Sequence, residues 1–301
     1  MRLRHIEIFH AIYTTGSITN AAKLLNVSQP SVSKVLSHAE IQLGFKLFDR
    51  VKGRLIPTKE AEMLFDEVDK IYQQMRSIKN TATNIKKSEF GNISLGITPA
   101  LGFDVLPNAV AAFHEEHPKV SFNIQAVHNE AVLQALFEHK CDFAVLFSPN
   151  PVAGIKTIEF GQSELVVVYP KSKFPHCPKK LSLAELQDYE FIDIGESGPL
   201  GDVVWHRILE EHIKLKFPIK VETYFIAARL VARGLGVCVV DRYTAMGNLT
   251  DDIGVASFDP AINFPVNGIY LENRGLPKVA ESFIPFLKKE IIALGYEEQK
   301  S

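Results

Sequence analysis

Gly16-Ser-Ile-Thr-Asn-Ala-Ala-Lys-Leu-Leu-Asn-Val-Ser-Gln-Pro-Ser-Val-Ser-Lys-Val-Leu-Ser-His-Ala39 decides how this chain is read. Ser17 is placed to cap a helix in which Ile18, Ala21, Ala22 and Leu25 fall at i, i+3, i+4 and i+7. After Asn26-Val27, Ser28 can cap a second helix, with Pro30 in the first turn where no amide donor is missed. Val32, Val35, Leu36 and Ala39 repeat the same apolar stripe. The opposite face carries Pro30, Ser33, Lys34 and Ser37, with no apolar side chain until Ile41. Two short amphipathic helices joined by a tight turn, the second polar and cationic outside, describe a helix-turn-helix whose second helix fits a major groove.

Upstream, Leu3, Ile6, Phe9, Ile12 and Tyr13 share one face of a first helix that stops near Thr14-Thr15-Gly16. Downstream, Gly44–Arg50 and Val51–Thr58 alternate apolar residues around a Lys52-Gly53-Arg54 turn, which makes a two-stranded wing with cations at its tip. Residues 1–57 hold eight Lys/Arg and three acids. A lone surface cation is ordinarily just solvated, but Lys34, Arg50, Lys52 and Arg54 with almost no acid between them point to DNA phosphates. Ser28, Gln29 and Ser31 are placed to reach base edges and phosphates, or else merely to cap the helix.

Leu3-Arg-His-Ile-Glu-Ile-Phe-His-Ala11, Gly16-Ser-Ile-Thr-Asn-Ala-Ala22, Ser28-Gln-Pro-Ser-Val-Ser33 and Leu47-Phe-Asp-Arg50 together resemble the LysR-type transcriptional regulators. The match is dense over residues 1–58 and continues more weakly, in layout, to the C-terminus. The resemblance implies a winged helix-turn-helix, a linker helix and an α/β, periplasmic-binding-protein-like effector domain. It also implies recognition-helix contacts from Gln29, Ser31, Ser33 and Lys34, a backbone grip by Arg50 and Arg54, RNA polymerase as a partner, and usually a dimer of dimers. Within the family the head and linker look closest to regulators answering to amino acids and opines, which points to a dipolar effector.

From Thr58 to Lys87 there is no Gly or Pro, and Leu64, Val68, Ile71, Met75, Ile78, Ala82 and Ile85 are spaced 4, 3, 4, 3, 4, 3. Such a narrow seam suits a coiled coil between two copies, whereas a helix packed on its own domain would show a wider stripe. Paired heads then read the two half-sites of a pseudo-palindrome. The expected organisation is residues 1–58 for the DNA-binding head, 59–89 for the dimerising linker and 90–301 for the effector domain. Within the last, 90–161 with 265–301 form one subdomain and 162–264 the other.

In residues 90–301, eight strand-like stretches alternate with seven helical ones, which means an α/β fold with largely parallel sheets and two Rossmann-like subdomains. Ligands of such folds sit beyond the carboxyl ends of strands, at helix N-termini. Those places are Thr98-Pro99-Ala100-Leu101, His128-Asn129, Phe147-Ser148, Ser197-Gly198-Pro199 and Asp241. Thr98 and Ser197 are expected to face each other across a cleft and offer hydroxyls and amides to a carboxylate, unless they are plain N-caps. Asp241 is either a cap or the counter-charge for an ammonium group; Tyr224 and Phe225 either wall the pocket or fill the core, and the core is expected.

At 301 residues, 46% apolar and 23% charged, the chain has room for two or more domains and excludes disordered or disulfide-scaffold classes. The net charge of −2 conceals a basic head and an acidic body, since residues 90–301 carry 19 Lys/Arg against 26 acids. Cys141, Cys177 and Cys238 lack any C-x-x-C spacing and read as residues of a reducing compartment. With no apolar run of membrane length, a cytosolic protein without membrane contact is expected. Gly195-Glu-Ser-Gly-Pro199 departs from a nucleophile elbow at its last position, and His114-Glu-Glu-His117 has the wrong spacing for zinc. No catalytic constellation or cofactor is expected, only a small-molecule effector. The rival readings are an enzyme on the same two-lobed fold and a constitutive DNA-binding protein whose body only oligomerises.

Overall fold

Ile8, Phe9, Ala11 and Ile12 are all but inaccessible on the first helix, α1 (Leu3–Thr15), of the computed structural model. That model describes residues 1–51, 54–86, 91–194 and 199–296. They fall into two units, Met1–Thr81 and Ala82–Ser301. In the first, α2 (Ile18–Leu24) and α3 (Gln29–Leu43) follow α1, and both α1 and α3 end on left-handed glycines, Gly16 and Gly44. Ser17 accepts from the Asn20 amide and caps α2, while Ser28 makes no side-chain cap bond on α3. Val32, Leu36 and Ala39 bury the inner face of α3 against α1, each large side chain contributing about 1.5–3 kcal/mol.

β1 (Phe48–Val51) and β2 (Arg54–Pro57) pair antiparallel and form the wing. Its base is held by Glu40, buried at the end of α3, whose carboxylate accepts from the backbone N–H groups of Leu47 (2.8 Å) and Phe48 (3.3 Å) and from Lys46 Nζ (3.2 Å). Phe9 then joins three elements, its ring meeting Phe48 of β1 and Phe65 of α4 (Lys59–Lys86).

The heptad seam on α4 divides. Ala61, Leu64, Phe65 and Val68 pack into the head's own core, and the His10 ring stacks on Tyr72 while its Nε2 bonds Asp69 Oδ1 at 2.9 Å. The expectation that Val68 faces a second copy is thereby corrected, since it is 2% exposed within the head's own core, and Leu64 is half-buried against the same core. Ile71 and Ile78 stay exposed, at 39% and 70%.

In the second unit one strand organises everything. β6 (Ile155–Pro170) is 16 residues long; its first half pairs with β12 (Asn263–Leu271), its second with β10 (Cys238–Asp241) and β11 (Ile253–Phe258). β3 (Asn92–Ile97), β4 (Ser121–Ala126) and β5 (Phe143–Phe147) extend the β12 side in the order β4-β3-β5-β12-β6. β7 (Lys180–Leu181) ends the other side, and β8 (Glu190–Asp193) pairs with β9 (Lys216–Lys220). A bulge between Val266 and Asn267 leaves Phe160 of β6 without a partner, where the chain passes from one strand set to the other. Only β3–β4, β3–β5, β7–β11 and β8–β9 are parallel among these ladders. The expected largely parallel sheets are therefore mixed, because β6 and β12 run through the crossover antiparallel to each other.

α5 (Val105–Glu116) and α10 (Lys278–Gly295) cover the β3 side, with Phe113 ringed by Phe122, Phe283 and Phe286 in edge contacts. α6 (Asn129–Phe137), α7 (Pro199–Glu210), α8 (Tyr224–Val231) and α9 (Arg242–Gly247) each begin within six residues of a strand's end. Cys141 and Cys238 are buried and Cys177 is exposed. Burial pushes the Cys141 thiol up to about 12, with the Asp142 charge adding to it.

Glu40→Ala strips two buried amides and a lysine of a charged acceptor. It is expected to cost the head about 2–3 kcal/mol, read as a lower unfolding midpoint by calorimetry. A second expectation concerns acid. His5 lies below its ordinary value through burial first, then His38 of α3, the chain's amino group and Arg2. The folded head thus binds fewer protons than the unfolded chain below about pH 6.5. Hydrogen-exchange protection of α1 and α3 should fall between pH 7.5 and 5.5, and His5→Leu should flatten that slope.

Candidate functional site

Helix α3 presents one surface to solvent because its stripe of Val32, Leu36 and Ala39 consumes the other. Ser28, Gln29, Ser31 and Lys34 are exposed and Ser33 is half-buried beside them. Arg50 projects from β1 as an exposed cation, as Lys34 does from α3 and Lys46 from the segment between α3 and the wing. Lys52 lies outside the described residues, as does the side chain of Arg54, although Arg54 pairs with Val51 to start β2. Glu40 had no sequence signature beyond being an acid in a basic segment; its role emerges only from the two amides above it.

Beside this face, two histidines meet. The Arg2 backbone N–H donates to His5 Nδ1 (3.3 Å), and His38 Nδ1 lies 3.2 Å from His5 Nε2. By that network His5 carries its proton on Nε2 and donates it to His38, whose own proton then sits on Nε2. His5 is buried at 5% exposure, whereas His38 is exposed.

In the second unit, three of the places named from the sequence lie at the carboxyl ends of neighbouring strands. The Thr98 amide donates to Val145 of β5 (3.0 Å), the Val127 amide to Ile97 of β3 (2.9 Å), and the Ser148 amide to Pro265 of β12 (2.9 Å). Thr98 and Ser148 are half-buried and His128 is exposed. Pro99 opens a 3-10 turn, Pro99–Gly102, for which Thr98 makes no side-chain cap bond. Ala100 and Leu101 turn their side chains into the core and leave only backbone toward any ligand. Asn129 starts α6; its side chain lies outside the described residues, as do Ser197 and Gly198 entirely. The facing of Thr98 and Ser197 therefore falls outside the description, while Pro199 begins α7 half-buried.

Asp241 is fully buried and caps α9, accepting from the Thr244 amide (2.8 Å) and hydroxyl (2.6 Å). Burial lifts its carboxyl to about 6 against those bonds. Tyr224 opens α8 nearby; burial, then the charges of Asp241 and Asp202, raise its hydroxyl's pKa. Phe225, expected in the core, is 44% exposed, because α8 turns Ala227, Ala228 and Val231 inward instead. Phe103 packs on the backbone of Gly247 at the end of α9, so closely that a Cβ there would lie 2.5 Å from it. The turn after Thr98 is thereby fastened to the helix that follows Asp241. Among the described residues no group of three or more His, Cys, Asp or Glu is placed to hold a metal, and no helix is long and apolar enough to cross a membrane.

Comparison with known proteins agrees with both halves of this geometry. Residues 3–62 match the bacterial regulatory helix-turn-helix protein model of the lysR family, and residues 86–291 match the LysR substrate binding domain. The HTH-type transcriptional regulator DgcR of Pseudoalteromonas sp is 68% identical over 94% of this chain and 98% of its own. The transcriptional activator protein LysR of Escherichia coli (strain K12) is 29% identical over 94% and 91%. Full-length CbnR, solved with its target DNA, superposes with a TM-score of 0.71 at 19% identity, covering 96% of this chain and 100% of that one. The chain belongs to the LysR family: it is a DNA-binding transcriptional regulator with an effector-binding domain, not an enzyme.

Proposed function

We propose that Ser28, Gln29, Ser31, Ser33 and Lys34 of α3 contact a major groove while Arg50, Lys52 and Arg54 of the wing grip phosphates. One observation carries this reading: α3 buries Val32, Leu36 and Ala39 and leaves Ser28, Gln29, Ser31 and Lys34 exposed, with Arg50 exposed on β1. Two copies paired along Ile71, Met75, Ile78, Ala82 and Ile85 place two such heads on a pseudo-palindromic operator. A homodimer, or a tetramer of two such pairs, acts in the cytoplasm with RNA polymerase as its downstream partner.

The effector in this reading is a small carboxylate, an amino acid or a relative of one. Thr98, Pro99, His128, Asn129 and Ser148 receive it at the carboxyl ends of β3, β4 and β5, with the backbone of Ala100 and Leu101 and the segment Ser197-Gly198-Pro199 completing the site. The clustering of three strand ends supports this, as open α/β sheets bind ligands there. Asp241 is left to the α9 cap, since Thr244 engages both carboxylate oxygens. By binding one lobe arrangement better than another, effector shifts the balance between them and so the spacing of the paired heads.

Polarisation titrations of a labelled mixed-sequence duplex against salt test the DNA half. Arg50→Ala is expected to weaken binding and reduce the salt slope by about one per head; an unchanged slope removes Arg50 from the phosphate contacts. For the effector half, thermal shift of the intact chain against amino acids and small organic acids should reveal a stabilising ligand. Thr98→Val should abolish that shift while preserving duplex affinity, and loss of both would mark misfolding.

A further inference from the structure

Around the axis of α3 the buried stripe of Val32, Leu36 and Ala39 leaves Lys34 at the centre of the outward face, with Ser37 on one flank and His38 on the other. Side chains at the centre of a groove-lying helix reach base edges, and those on its flanks meet the groove walls, where phosphates lie. His38 is exposed on that flank, one turn beyond Lys34. Its ring is nevertheless held from behind, by the 3.2 Å contact between its Nδ1 and Nε2 of the buried His5. His5 is in turn fixed by the Arg2 backbone N–H, 3.3 Å from its Nδ1. Each link dictates the next: an accepting Nδ1 on His5 makes its Nε2 the donor, and an accepting Nδ1 on His38 makes its Nε2 carry a proton toward solvent. Neither ring belongs to the set of contacts already assigned.

We infer that His38 is a DNA-phosphate contact that donates its Nε2–H to the backbone at the groove wall, and that His5 is the positioning residue which sets its tautomer and ring orientation. The inference rests on α3 lying in the groove. The second histidine converts a freely turning exposed ring into a donor with one direction, so less side-chain freedom is lost when DNA arrives. The pattern matches the way a metal-bound or catalytic imidazole is oriented by whatever holds its other nitrogen.

The test uses the full chain and a fluorescein-labelled 60-base-pair duplex of mixed sequence, at one salt concentration and pH 7.5. His38→Ala is expected to weaken binding about three- to tenfold per head, the size of one neutral hydrogen bond. His38→Gln, whose amide nitrogen reaches the position of Nε2, should stay within about twofold of the wild type. His38→Asn reaches only the Nδ1 position and should bind as weakly as His38→Ala. His5→Leu should weaken binding alone and add nothing further in a His5→Leu/His38→Ala double variant, since a merely structural His5 would show an additive loss. His38→Ala binding like the wild type, His38→Asn matching His38→Gln, or additivity in the double variant would each overturn the inference. If His5→Leu does not fold, the three His38 variants still decide it. A wild-type chain that fails to bind the duplex would instead remove the groove-lying α3 on which it stands.

Discussion

Burying Val32, Leu36 and Ala39 against Ile8, Phe9 and Ile12 is the constraint from which the head follows. A helix of 15 residues has one face to spend on a core, so committing it inward fixes what is presented outward. The polar side chains of α3 are then displayed on a rigid element and not on a loop, which suits recognition of a duplex whose spacing is itself rigid. Phe9 extends the same core to the wing through Phe48 and to α4 through Phe65, so α3, the wing and the start of α4 share a single packed centre.

Much of this was legible beforehand, and the residues show why. Periodicity reads helices well, and α2, α3 and α5 begin within a residue or so of where their stripes and caps put them. The positions of Thr98, His128 and Ser148 at strand ends were legible for a different reason: strand ends in an open sheet converge whatever the side chains. What escaped were features decided by tertiary partners. Ile155–Ser163 carries Lys, Thr, Glu, Gln and Ser in no clean alternation, yet it is the first half of β6 because β12 lies beside it for nine residues. Ile253–Phe258 was passed over although buried on β6, its small residues Gly254, Ala256 and Ser257 giving little strand signal. Glu40 is only an acid in a basic segment until the fold sets two backbone amides above it.

The linker shows where a correct pattern supports only part of its inference. Seven residues at 3.5-residue spacing announce a coiled coil, but Leu64 and Val68 are taken by the head. A heptad seam records that a helix has a continuous apolar stripe, and says nothing of whether one neighbour or two will cover it. Here the coverage changes around and along the rod: the head's own rings cover Phe65 and Tyr72, while Ile71 and Ile78 stay bare. Loosening the head core would accordingly release apolar surface along the same helix that already leaves Ile71 and Ile78 bare.

The cysteines have a practical corollary. Oxidants and electrophiles attack the thiolate, so a buried thiol held near 12 is chemically quiet at neutral pH, and Cys238 is completely enclosed. Cys177 is the sole accessible thiol among the described residues, on the surface loop before β7 and distant in sequence from both α3 and Thr98. A maleimide fluorophore would therefore attach at one address per chain without engineering, so the wild-type molecule itself carries a probe at a defined place in its second unit.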